Sequence, residues 1–189
     1  MGALASRRAI RLLALVALPS TALAHRLDEY LQATVVRIEP ETVGLSIHLT
    51  PGIEAADDVL ARIDWNRDGL IAESEGATYA ELLRRDLELR LDRGTVRLEL
   101  VAATFPSTAA LRAGTGIIQL EFAVALQLAA GTHALAFENR HFAGVGVYLF
   151  NAALPRSPSI EITRQRRNDD QSAGAIEFTL TRAATPAVP

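Results

Sequence analysis

Apolar and polar residues alternate with a period of two along most of the chain, the mark of strands that bury one face. Val43, Leu45, Ile47 and Leu49 alternate with Thr42, Gly44, Ser46 and His48. Leu87, Leu89 and Leu91 alternate with Glu88, Arg90 and Asp92. After Asp92-Arg93-Gly94, Val96, Leu98 and Leu100 alternate with Thr95, Arg97 and Glu99, so these two runs read as a hairpin. Ile118, Leu120, Phe122, Val124 and Leu126 make a longer strand that turns at Ala129-Ala130-Gly131 and returns through Leu135 and Phe137. Val145, Val147 and Leu149, then Ile160 and Ile162, then Ile176, Phe178 and Leu180 mark three more, and residues 30–38 one at the front. About nine short strands separated by turn signals predict a mostly β chain, with an immunoglobulin-like β-sandwich as the expected arrangement.

One segment breaks the rhythm. From about 53 to 85 the apolar residues fall at helical spacing, with Val59, Leu60 and Ile63 before a polar loop and Tyr79, Leu82 and Leu83 after it. Pro51-Gly52 separates this segment from the preceding strand. A helix–loop–helix inserted between two strands is predicted there.

The first 24 positions have the parts of a secretory signal peptide. Arg7, Arg8 and Arg11 form a positive leader, residues 12–18 an apolar run too short to span a bilayer, and Ala22-Leu23-Ala24 a small-residue cleavage signature. The expected mature chain begins at His25, is periplasmic or secreted, and carries its β-domain over residues 25–182. The small, proline-bearing tail at 183–189 is expected to be disordered. With no cysteine, disulfides and thiolate metal sites are excluded. Every basic residue is arginine; the leader takes three of the 19, leaving 16 against 22 acidic residues, or about −6. That balance argues against nucleic acid, whose binding needs a basic face, and suits a cation.

Between the two helical stretches the chain reads Asp64-Trp65-Asn66-Arg67-Asp68-Gly69-Leu70-Ile71-Ala72-Glu73-Ser74-Glu75. This matches D-x-[DN]-x-[DN]-G-x5-E at every specified position and resembles the EF-hand calcium-binding family over about 30 residues. The resemblance implies an inserted EF-hand in which Asp64, Asn66 and Asp68 turn side-chain oxygens toward one Ca²⁺. Leu70 would offer its backbone carbonyl and Glu75 a bidentate carboxylate. Gly69 would permit the sharp turn, and Ala72, lacking a side-chain oxygen, would leave its place to water. Ile71 holds the apolar position that, in the family, pairs with a second loop. No second loop is present, so the β-domain or another copy of the chain must brace this one. The expected role is structural or in protein–protein contact, with affinity on the order of 10⁻⁴–10⁻³ M, as in extracellular modules. Asn168-Asp169-Asp170-Gln171 lacks the glycine and final glutamate and reads as a hairpin turn.

A second chemistry centres on His25. A free amino group and an imidazole on one residue chelate copper or nickel, with His48, His133 or His141 as further ligands. His48 alternates onto a polar face, His133 shares parity with Leu135 and Phe137, and His141 lies in the polar run Glu138-Asn139-Arg140-His141. The opening His25-Arg26-Leu27-Asp28-Glu29-Tyr30 is similar to the start of exported domains found beside bacterial metal-transport membrane proteins, which implies a membrane-protein partner. No G-x-S-x-G, H-E-x-x-H or P-loop motif occurs, so no enzymatic reaction is expected.

Overall fold

A computed structural model of the chain describes residues 29–181; the leader, His25 and the tail at 183–189 lie outside them. The front of the chain folds into β1 (Tyr30–Glu39) and β2 (Thr42–Pro51), turning at Pro40-Glu41 and pairing in unbroken antiparallel register from Tyr30↔Pro51 to Glu39↔Thr42. Alternation then places Tyr30, Val36 and Ile38 of β1 and Val43, Leu45, Ile47 and Leu49 of β2 on the inner face.

Eight more strands follow among the described residues: β3 (Leu87–Leu91), β4 (Gly94–Thr95), β5 (Glu99–Thr104), β6 (Ile118–Ala125), β7 (Gly131–Asn139), β8 (Gly146–Ala152), β9 (Ile160–Arg167) and β10 (Ala173–Leu180). They form two five-stranded sheets, ordered β5-β6-β2-β1-β8 and β4-β3-β7-β10-β9. The chain is mostly β, and the inner faces of both sheets share one core as a sandwich. Phe137 of one sheet stacks on Phe150 of the other, ring centroids 5.3 Å apart. Each such buried side chain contributes about 1.5–3 kcal/mol by leaving water.

Two expectations are corrected. Val145 and Leu149, expected inward, are 44 % and 39 % exposed, while Tyr148 and Phe150 are buried. Residues 145–150 are largely apolar in both phases, so alternation alone does not choose the inner face. The choice is made by parallel pairing to β1, which sets Tyr148 opposite inward Gln32 and Phe150 opposite inward Thr34. The expected return strand through Val96, Leu98 and Leu100 is also cut short. Gly94–Thr95 pair with β3, and one further bond, from the Val96 amide to the Leu89 carbonyl at 2.9 Å, ends the contact. The chain then crosses, burying Leu98, to become β5 at the edge of the other sheet.

The opposite edge of that sheet is β8, and side chains cover it. Gln165 accepts from the Ala152 amide and donates to the Phe150 carbonyl, at 3.2 and 3.3 Å. Arg167 also donates to the Phe150 carbonyl, so the open edge is blunted at Phe150 and Ala152. Asn168–Gln171 forms the turn between β9 and β10, where Asn168 Oδ1 accepts from the Ala173 amide at 2.9 Å.

The insertion lies between β2 and β3, as α1 (Ala56–Ile63) and α2 (Glu73–Asp86). α1 buries Ala56, Val59, Leu60 and Ile63 and presents Asp57 and Asp58 in its first turn, where acidic groups favour the helix dipole. α2 buries Glu75, Gly76, Tyr79, Ala80 and Leu83, then passes directly into β3. A third helix, α3 (Thr108–Arg112), is too short for a periodic signal; it is capped by Ser107 and packs Leu111 inward.

Candidate metal centre

The loop begins where α1 runs out. Asp64 caps the helix, its amide bonded to the Leu60 carbonyl at 2.8 Å. The backbone then takes positive φ at Arg67 (61°) and Gly69 (84°), a turn that glycine makes at least cost. The loop folds around two carboxylates. Asp64 accepts from the amides of Asp68 (3.1 Å) and Gly69 (3.0 Å). Glu75 accepts from the amides of Asn66 (3.4 Å) and Ala72 (3.0 Å). The second of these is half of a capping box; Ala72 has no side-chain acceptor to complete it.

Asp64 is 6 % exposed and Glu75 1 % exposed. Neither enters an ion pair with an arginine or histidine among the described residues. Arg67 and Arg112 line the hollow beside Asp64, but Arg112 bonds Asp57 instead, at 3.0 Å. Buried carboxylates are ordinarily paired with a cation or hold a metal. Two in one loop, with only backbone amides for partners, form an oxygen-only donor set suited to a hard cation such as Ca²⁺.

The other expected ligands stand differently. Asn66 and Asp68 are exposed, and Asn66 Nδ2 donates to Asp68 Oδ2 at 3.0 Å. Asp68 Oδ1 accepts from the Leu70 amide at 2.8 Å. Leu70 is 71 % exposed, and Ile71 packs against the core instead of a second loop. No three acidic or histidine side chains among the described residues are gathered as a metal-holding group. Like charges repel, and the exposed Asp68 keeps its contacts with solvent and loop amides.

Of the histidines, His48 is exposed, on the polar phase of its strand as expected. His133 bonds Asp92 Oδ2 through Nδ1 and the Ala129 carbonyl through Nε2, both at 2.9 Å. His141 departs from its expected place on a polar loop and is wholly buried. Its Nδ1 lies 2.7 Å from Asp86 Oδ2, its Nε2 3.0 Å from the Tyr79 hydroxyl, and Tyr79 lies 2.7 Å from the Tyr30 hydroxyl. The His141 carbonyl accepts from Gln32 (2.7 Å) and Tyr148 (2.8 Å). This network ties α2 to β1 and β8. It was not legible as a unit, because its members are scattered from position 30 to 148.

The loop has one further partner that its motif does not announce: the hydroxyl of Thr108, which donates to the Gly69 carbonyl at 2.7 Å.

No family model matches the chain, and no curated protein or solved structure matches it. Among the described residues no helix is long and apolar enough to cross a membrane.

Proposed function

We propose that residues 64–75 are an EF-hand-type loop for one Ca²⁺, carried on an exported β-sandwich. The observation that carries this reading is the pair of buried carboxylates, Asp64 and Glu75, left without a cationic partner. Asp64 and Glu75 would hold the ion from the two ends of the loop, with Asn66, Asp68 and the Leu70 carbonyl completing an oxygen shell. Calcium, when bound, supplies the positive charge that these buried groups lack. The protein contributes the frame: α1 and α2 fix the loop ends, and Gly69 makes the turn. Binding to the folded chain alone stabilises it by mass action, which suits a structural role or support of a protein partner, for instance one in a membrane.

Trp65, the only tryptophan, lies in the loop and is 65 % exposed, so it serves as an antenna for Tb³⁺ in place of Ca²⁺. Sensitised emission that Ca²⁺ displaces and Mg²⁺ does not, together with a calcium-dependent rise in thermal midpoint, is expected. Both should vanish in Asp64→Ala/Glu75→Gln. Absence of both in the unaltered protein sinks the proposal.

The alternative reading, a copper or nickel module anchored on His25, gains no specific support. His133 and His141 both have their two ring nitrogens engaged.

A further inference from the structure

The segment that follows edge strand β5 touches the loop and the helix beyond it at once. Thr108 is 9 % exposed, and its hydroxyl donates to the Gly69 carbonyl at 2.7 Å. Phe105 lies against α2 so closely that a Cβ on Gly76 would fall 2.7 Å from its ring. The same ring meets Tyr79 edge-on, centroids 6.2 Å apart. Gly69 and Gly76 flank Glu75, so residues 105–108 bridge the two sides of the candidate site. The bridge is itself fixed: Ser107 caps α3 by accepting from the Ala110 amide at 3.2 Å, and Arg112 bonds Asp57 of α1 at 3.0 Å.

The peptide unit between Gly69 and Leu70 is thereby held at both ends. Its oxygen accepts from Thr108, and its N–H donates to Asp68 Oδ1 at 2.8 Å. Both groups adjoining that unit, the Asp68 carboxylate and the Leu70 carbonyl, belong to the proposed oxygen shell. Without the hydroxyl, the unit is anchored only through its N–H to Asp68, and its oxygen end can turn about the glycine, loosening the direction of each neighbouring donor.

We infer that Thr108 is a positioning residue for the loop, giving it from within the β-domain the rigidity that a second loop gives in a pair; this rests on the calcium reading above. Thr108 touches no ion. It acts through the backbone, and its effect is on affinity.

The test compares Tb³⁺ and Ca²⁺ binding, by Trp65-sensitised emission and its displacement, in the unaltered chain and in Thr108→Val, Thr108→Ala and Thr108→Ser. Thr108→Val keeps the volume and removes the hydroxyl, Thr108→Ala removes it without crowding, and Thr108→Ser retains it. Loss of one ordinary hydrogen bond predicts about five- to tenfold weaker binding in the first two. Thr108→Ser should bind within about twofold of the unaltered chain, because the donor survives. A hydroxyl that only stabilises the fold would lower the metal-free thermal midpoint and leave affinity unchanged. Unchanged affinity in both Thr108→Val and Thr108→Ala therefore overturns the inference. If the unaltered chain itself binds neither ion, the calcium reading fails first and this inference falls with it, an outcome read from that trace alone.

Discussion

Nε2 of His141 and the hydroxyl oxygen of Tyr79 stand 3.0 Å apart inside the protein, while the opposite ring nitrogen lies 2.7 Å from Asp86 Oδ2. An ionised Asp86 only accepts, so the hydrogen-bond pattern assigns the ring proton to Nδ1. Nε2 then accepts from Tyr79, and Tyr79 accepts from Tyr30. Protonation of Nε2 reverses the chain. Tyr79 must then donate to Tyr30, whose own hydroxyl proton, in a residue with no exposed surface, is left without an acceptor.

Burial pushes the His141 pKa down, with Arg62 acting in the same direction and the Asp86 carboxylate opposing both. The folded chain thus prefers neutral His141, whereas the unfolded chain takes up a proton near the ordinary value of about 6.5. Its contribution is fully present above that pH and falls away as the pH drops below it. Leaving one buried donor unsatisfied costs about 1–3 kcal/mol. Thermal midpoints measured from pH 8 to pH 5 should fall less steeply in His141→Gln than in the unaltered protein. An NMR titration placing His141 above its ordinary range would refute the account.

His133 should titrate the other way. Its hydrogen bond to Asp92 raises its pKa, with the Ala129 carbonyl adding to the effect. Asp92 is lowered in turn, first by the Ala134 amide and then by His133. The stability that His133 adds is fully present below about pH 6.5 and is lost as the pH rises through its folded value. His133→Gln should therefore destabilise more at pH 5.5 than at pH 8.5, in denaturant titrations at the two values. Equal losses would mean that the pair carries no net charge-dependent stability.

Glu75→Gln separates the loop's fold from its chemistry. The amide oxygen can still accept from the Ala72 amide, while the buried negative charge is removed. Metal-free, the variant should melt near the parent: the buried charge is gone, but Glu75 accepts from both the Ala72 and Asn66 amides and the Gln carboxamide has only one oxygen to offer them. Its calcium-dependent gain in midpoint should be lost. A calcium-dependent gain that survives in Glu75→Gln would show instead that the carboxylate serves the loop's fold and not the ion.

Gly76→Ala tests the contact between α2 and the β5–α3 connection. Alanine is the better helix former by about 1 kcal/mol, yet its Cβ would fall 2.7 Å from Phe105 Cε2 and 2.9 Å from Cδ2. Overpacking of this kind costs about 1–3 kcal/mol, so a lower midpoint is expected despite the gain in propensity. Adding Phe105→Leu should recover part of the loss. An unchanged midpoint in Gly76→Ala would mean that the Phe105 ring is not held in place.

Strands with polar residues in one phase, such as Leu45–Leu49 and Ile118–Phe122, could be assigned by alternation alone, because only one phase can face a core. The helix–loop–helix was legible at 53–85 from the helical spacing of its apolar residues, and the order Asp64, Asn66, Asp68, Gly69, Glu75 stood out because every member lies within 12 consecutive residues. The sequence by itself thus determined a mostly β chain, the place of its helical insertion and the donor chemistry of one loop. Tertiary structure decided the rest, since it depends on groups far apart in the chain. Pairing with β1 chose the buried face of residues 145–150, where both phases are largely apolar. The crossover through Leu98 sent β5 to the other sheet, where the run to Thr108 could meet Gly69. Tyr30, Tyr79, Asp86 and His141 carry no mutual spacing, and only their burial together obliges them to satisfy one another's hydrogen bonds.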